Sequence, residues 1–138
     1  MGTIVNERIV DYINSLDKGN SPVCNAIEKE ALADGVPIIR KEMGNLLKVL
    51  IALKQPERIL EVGTAVGYSS ILMSENMPQN CRITTIENYE KRIPIARENF
   101  KRAGKDEQIT LLEGDAAEIL PTLTEPYDLI FMDKSEAK

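Results

Sequence analysis

Along the first third of the chain the apolar positions recur at three- and four-residue steps, the period of a helix with one buried face. Ile4, Ile9, Val10, Ile13 and Leu16 form one such stripe before the turn-forming run Asp17-Lys18-Gly19-Asn20. Ser21 followed by Pro22 predicts an N-cap and first turn, and Gly35 predicts the stop of that second helix. After an extended stretch over residues 36–39, Met43, Leu46, Leu47, Leu50 and Leu53 mark a third helix that Gln55-Pro56 ends. From Arg58 the pattern changes to short apolar runs at 58–62, 82–87, 108–113 and 127–132, separated by helical segments at 68–76, 89–103 and 116–120. That alternation predicts βαβ units and a parallel sheet. Gly104 predicts the C-terminal stop of the middle helix. Pro94 requires that this helix either begin near Ile93 or kink there. The reading is a helical N-terminal extension, residues 1–57, on the substrate or dimer side, and an α/β core, residues 58–138, together one domain.

Composition narrows the class. A chain of 138 residues with 43% hydrophobic positions suits one globular domain with a core. The net charge of −5 argues against general polyanion binding, although a local basic face is compatible with it. No apolar run approaches the roughly 20 residues needed to span a bilayer, and the N-terminus lacks the basic-then-apolar build of a signal peptide. A cytoplasmic protein without a membrane partner is therefore expected. Cys24 and Cys81 form no CxxC pair, and without histidine there is neither a zinc set nor a Cys/His nucleophile pair.

The first predicted strand runs through Glu61-Val-Gly-Thr-Ala-Val-Gly67 into a helix, which places the turn at the carboxyl edge of a parallel sheet, where ligands bind. Gly63 permits close backbone approach, and Gly67 lets the turn tuck into the helix start. A dinucleotide loop occupies the same place, but its GxGxxG pattern is absent. Glu61 would also repel a diphosphate, whereas it suits a ligand carrying an amino group and a sulfonium. Glu87 closes the second strand, where such sheets place an acceptor for ribose hydroxyls. Asp115, after the third strand, lies where an adenine amino group could donate.

With these pieces in order, the chain resembles the bacterial family-3 O-methyltransferases, the group that contains the caffeoyl-CoA and catechol enzymes and the tRNA 5-hydroxyuridine methyltransferase. The resemblance rests on Gly35-Val-Pro-Ile-Ile39, Glu61-Val-Gly-Thr-Ala-Val-Gly-Tyr-Ser69, Thr85-Ile-Glu87, Gly114-Asp-Ala116 and Tyr127-Asp-Leu-Ile-Phe-Met-Asp133. It implies a Rossmann-like class I methyltransferase fold and S-adenosylmethionine as cofactor. It assigns Ile39 to a loop over the cofactor, Glu61 and Gly63 to the methionine end, Ser69 to the carboxylate of that end, Glu87 to the ribose, and Asp115 and Ala116 to the adenine, with Thr64 and Ala65 also among the cofactor-binding residues. Asp133 becomes a ligand of magnesium or another divalent cation, close to the transferring methyl group. Such a metal binds two adjacent substrate oxygens and favours the ionised hydroxyl.

The chain departs from the family pattern after Asp133. Relatives place a lysine three positions on, where Glu136 stands, with Lys134 and Lys138 beside it. An Asp-Asn pair that supplies two further metal ligands has no counterpart. The expectation is thus a core lacking its C-terminal strands, which binds cofactor but transfers methyl groups poorly alone, with strand four left as an apolar open edge. For the acceptor, the bacterial character of the resemblance points to tRNA 5-hydroxyuridine, with Lys91, Arg92, Arg97, Lys101, Arg102 and Lys105 as a basic face. A small catechol-like hydroxylated aromatic is the alternative, a cofactor-binding module without catalysis a further one, and a homodimer is expected.

Overall fold

The computed structural model describes residues 6–15 and 19–133. Ile4, Leu16, Asp17, Lys18, Lys134, Glu136 and Lys138 lie outside the described residues. The helical section consists of α1 (Glu7–Ser15), α2 (Pro22–Ala33) and α3 (Lys41–Lys54). Ser21 caps α2 by accepting from the Cys24 N–H at 3.1 Å, and its hydroxyl donates in turn to Glu75. One side chain therefore both starts α2 and ties it to the helix it packs on. Gln55, left-handed at φ 49°, closes α3 with its N–H on Ile51 O, and Pro56 follows as predicted.

The remaining elements alternate: β1 (Arg58–Val62), α4 (Tyr68–Ser74), β2 (Arg82–Glu87), α5 (Ile93–Arg102), β3 (Ile109–Glu113), α6 (Ala116–Ile119) and β4 (Leu129–Met132). The sheet is parallel throughout in the order β3-β2-β1-β4. Ile59 faces Ile83 on one side and Leu129 on the other, so β1 is central. Such a strand must be buried on both faces. Accordingly Ile59, Leu60 and Glu61 are all buried. The core joins Ile27 of α2, Leu47 and Ile51 of α3, and Ile71 and Leu72 of α4 to Ile59 and Ile83 of the sheet. Among the described residues no helix is long and apolar enough to cross a membrane.

Local chemistry explains the differences in boundaries. Helix α5 starts at Ile93 with Pro94 in its first turn, where the missing N–H costs nothing, so the helix is not kinked. Helix α6 stops at Ile119 and tightens into a 3-10 turn, Leu120–Thr122, because Pro121 has no N–H to give Ala117. Strand β4 is shorter than its apolar run. Asp128 instead clamps the start of β1, its carboxylate accepting from the N–H groups of Glu57 (2.7 Å) and Arg58 (3.1 Å), which holds its carboxyl below the usual carboxylate range. Strand β4 lies at the edge of the described sheet. Leu129 and Phe131 pack on the core, while Ile130 and Met132 on the other face are more than half exposed.

Candidate cofactor site

The ends of the four strands bring Asp115 (after β3), Glu87 (end of β2), Gly63 (after β1) and Asp133 (after β4) into one row along the carboxyl edge of the sheet. In an open parallel sheet this edge is where ligands bind.

The loop after β1 is held from both sides. Gly63 and Thr64 donate their N–H groups to Ile86 O at 2.9 and 3.3 Å, and Gly67 donates to Thr64 O at 2.9 Å. Gly63 sits at φ +102°, and a Cβ there would stand 2.6 Å from the backbone oxygen of Asp133. Gly67, at φ +93°, opens α4 against the Phe100 ring, whose nearest carbon would be 2.7 Å from an added Cβ. Both glycines are thus required by space as well as by backbone angle.

Beneath this loop lies a carboxylate cluster. Glu61 is fully buried. Its oxygens accept from the hydroxyls of Ser69 and Ser70 at the start of α4 and from Thr85 of β2, the last at 2.7 Å. Thr85 Oγ1 also lies 2.6 Å from Thr64 Oγ1. Since Thr85 has one proton and gives it to Glu61, Thr64 is the donor in that contact. Burial pushes the Glu61 carboxyl up to about 7, the three hydroxyls oppose this, and the charge of Asp133 adds to it. Glu61 therefore joins β1, β2 and α4 from below the loop rather than facing the cleft directly.

Glu87 is only half-buried and stands at the cleft. Its Oε1 accepts from Ala65 N at 2.8 Å and its Oε2 from Tyr89 N at 3.0 Å. A carboxylate has about four lone-pair positions, so each oxygen keeps acceptor capacity for a vicinal diol. Asp115 caps α6 through Ala117 N at 2.9 Å, with Ala116 opening the helix, and Gly114 N donates to Glu87 O at 2.9 Å, which joins the ends of β3 and β2. Ile39, half-buried in the segment before α3, packs on the core. Asp133 donates its N–H to Val62 O at 3.0 Å and is half-buried beside Gly63.

The structure thus gathers Gly63, Thr64, Ala65, Glu87, Asp115, Ala116 and Asp133 along one edge. It sets Glu61 and Ser69 against each other underneath and keeps Ile39 on the helical side. Ser70, which bonds Glu61, and Asn99, which bonds the loop from behind, support the site without being singled out by the sequence pattern, and Thr85 falls within a matched motif but without a role assigned to it. Their signal is weak: hydroxyls in an otherwise apolar strand and helix start, and an amide on the buried face of α5. Among the described residues no group of three acidic, cysteine or histidine side chains is placed to hold a metal.

A family model described as O-methyltransferase matches residues 24–138. The chain is 34% identical to a catechol O-methyltransferase of Niastella koreensis over 96% of its own length and 63% of that protein's. Among solved structures, the O-methyltransferase TomG of Streptomyces achromogenes, in complex with S-adenosylmethionine, matches with a TM-score of 0.78 at 30% identity, over 97% of this chain and 64% of that one. An O-methyltransferase of Bacillus cereus in complex with S-adenosylhomocysteine matches with a TM-score of 0.78 at 26% identity, over 91% of this chain and 60% of that one. The chain therefore spans less than two thirds of each of these three relatives, and over that span it belongs to the S-adenosylmethionine-dependent O-methyltransferases of family 3.

Proposed function

We propose that this chain forms the S-adenosylmethionine-binding part of an O-methyltransferase acting on a small hydroxylated aromatic acceptor. The observation that carries the cofactor reading is Glu87, held by two backbone N–H groups at the cleft with acceptor capacity left on both oxygens. The acceptor class rests on the catechol O-methyltransferase named among the relatives. The tRNA reading leans on the basic residues of and around α5. Two of these are engaged in ion pairs, Arg97 with Glu113 at 2.7 Å and Arg102 with Glu30 at 2.8 Å, which favours the small acceptor.

When bound, S-adenosylmethionine supplies an electrophilic methyl group on a sulfonium centre. The chain's part is to position it: Glu87 takes the ribose hydroxyls, Asp115 the adenine amino group, and the loop from Gly63 to Ala65 shapes the methionine end. Asp133, beside that loop, is assigned the acceptor side, where its carboxylate orients the attacking hydroxyl or takes its proton. Alignment for in-line displacement is the main source of acceleration in such a site. Magnesium does not fit the described residues by themselves, because Asp133 offers one carboxylate and the neighbouring Glu61 is occupied by three hydroxyls. No step is assigned to a metal. Assembly as a homodimer is part of the proposal, with the exposed α3 residues Met43, Leu46, Leu50 and Leu53 as the surface.

Glu87→Ala is expected to weaken S-adenosylmethionine binding about tenfold or more, since hydrogen bonds to a charged group are worth about 1.5–3 kcal/mol. Glu113→Ala, which removes only the exposed pair with Arg97, should leave affinity within about twofold. Calorimetric titration of both variants tests this, and equal affinities would remove Glu87 from the site.

A further inference from the structure

Behind the cofactor loop, on the side away from the cleft, stands a buried carboxamide to which neither the family resemblance nor the proposed chemistry gives a part. Asn99 of α5 is 5% exposed, and its Nδ2 donates to Val66 O at 2.8 Å. Its Oδ1 accepts from Arg102 Nη1 at 3.4 Å, and Arg102 is fixed in turn by a two-point pair with Glu30 of α2 at 2.8 and 2.9 Å. This cation on the oxygen side sets the amide orientation, so that the donor faces the loop. The Val66–Gly67 peptide is then bonded at both ends, its carbonyl by Asn99 and its N–H by Thr64 O. Thr64 O in turn belongs to the Thr64–Ala65 peptide, whose N–H donates to Glu87 Oε1 at 2.8 Å. Ala65 is left-handed at φ 50°, a conformation that an alanine holds only when its surroundings impose it.

The structure assigns Asn99 as a positioning residue for Glu87: by fixing the Val66 carbonyl toward α5 it holds the Val66–Gly67 peptide, whose N–H bonds to Thr64 O and so turns the Thr64–Ala65 peptide, with the Ala65 N–H, toward the Glu87 carboxylate, orienting that carboxylate for the ribose diol. The inference rests on the proposed cofactor reading and deepens it. Asn99 itself touches no cofactor. Without its donor, the Val66 carbonyl is left buried and unpaired, the Val66–Gly67 peptide turns, its N–H leaves Thr64 O, and the Thr64–Ala65 peptide loses the orientation that aims the Ala65 N–H at Glu87.

The test is titration of the 138-residue chain with S-adenosylhomocysteine and with its 2′-deoxyribose analogue. Wild type is compared with Asn99→Ala, Asn99→Asp, Glu87→Ala and the double variant Asn99→Ala with Glu87→Ala. Asn99→Asp keeps the volume and the Arg102 contact but puts an acceptor where the donor was, so it serves if the alanine variant does not fold. Each Asn99 variant is expected to bind S-adenosylhomocysteine about tenfold more weakly. Each should also lose most of the wild-type preference for the 2′-hydroxyl, and the double variant should be no weaker than Glu87→Ala alone. Full 2′-hydroxyl preference in the Asn99 variants, losses that multiply in the double variant, or unfolding of both single variants would overturn the inference and leave the cofactor reading standing. A wild-type chain that does not bind S-adenosylhomocysteine, or a Glu87→Ala variant that binds it as wild type does, would overturn the cofactor reading and this inference with it.

Discussion

Gly63→Ala is expected to lower the melting temperature of the chain by roughly 10 °C and to abolish measurable S-adenosylmethionine binding. Two costs combine at this position. The backbone is at φ +102°, where an L side chain is strained, and the new methyl would stand 2.6 Å from the Asp133 carbonyl oxygen. That oxygen is backbone at the end of β4, where the Asp133 N–H is bonded to Val62 O, so relieving the clash requires the main chain after β4 to turn rather than a side chain to shift. Overpacking of this kind costs about 1–3 kcal/mol, and the backbone angle adds about 1–2 kcal/mol. Gly67→Ala is the informative comparison. The atom it would meet, 2.7 Å away, is the edge of the Phe100 ring, a side chain with some freedom to shift, so its effect should be smaller. Thermal denaturation and calorimetry of the two variants decide the order.

The second large effect is a dependence of stability on pH, set by Glu61. Its carboxyl is raised from 4.5 to about 7 by burial, against the opposition of three hydroxyl donors. The folded chain therefore holds a proton that the unfolded chain releases between those limits. Where the native state binds more protons, stability falls as pH rises. The contribution of Glu61 is fully present below about pH 4.5 and lost by about pH 7. Each pH step of one across that interval changes stability by about 1.4 kcal/mol, which amounts to roughly 3 kcal/mol in all. Glu61→Gln keeps the volume and a carbonyl acceptor but does not titrate. Denaturant titrations between pH 5 and pH 8, on either side of about 7, should show the wild type losing stability relative to Glu61→Gln, and parallel curves would contradict this.

The order of elements was readable because each rests on a local rule. Helices α2 and α3 follow from their caps and apolar spacing, and the strands follow from short apolar runs between helical segments. Where two local rules competed, the structure shows which prevailed: Pro94 starts α5, and Pro121 shortens α6. The carboxyl-edge residues were legible because in a parallel sheet the end of every strand lies on the same edge. Glu87 and Asp115 could therefore be placed by counting. Glu61 was recognisable as part of the site, but its burial under the loop was not, because that depends on hydroxyls that β2 and α4 bring to it from positions 69, 70 and 85. Asn99 was invisible for the same reason. Its partner is a carbonyl 33 positions away, reached only once α5 packs behind the loop.

The same geometry sets the most direct test of the cofactor site. The chain is titrated by calorimetry with S-adenosylmethionine, S-adenosylhomocysteine and NAD under identical conditions. Glu87 with spare acceptor capacity and a loop without the GxGxxG that receives a diphosphate predict one-to-one binding of the first two ligands and none of NAD. Binding of NAD alone, or of none of the three by a folded chain, would contradict the assignment of this edge as an S-adenosylmethionine site.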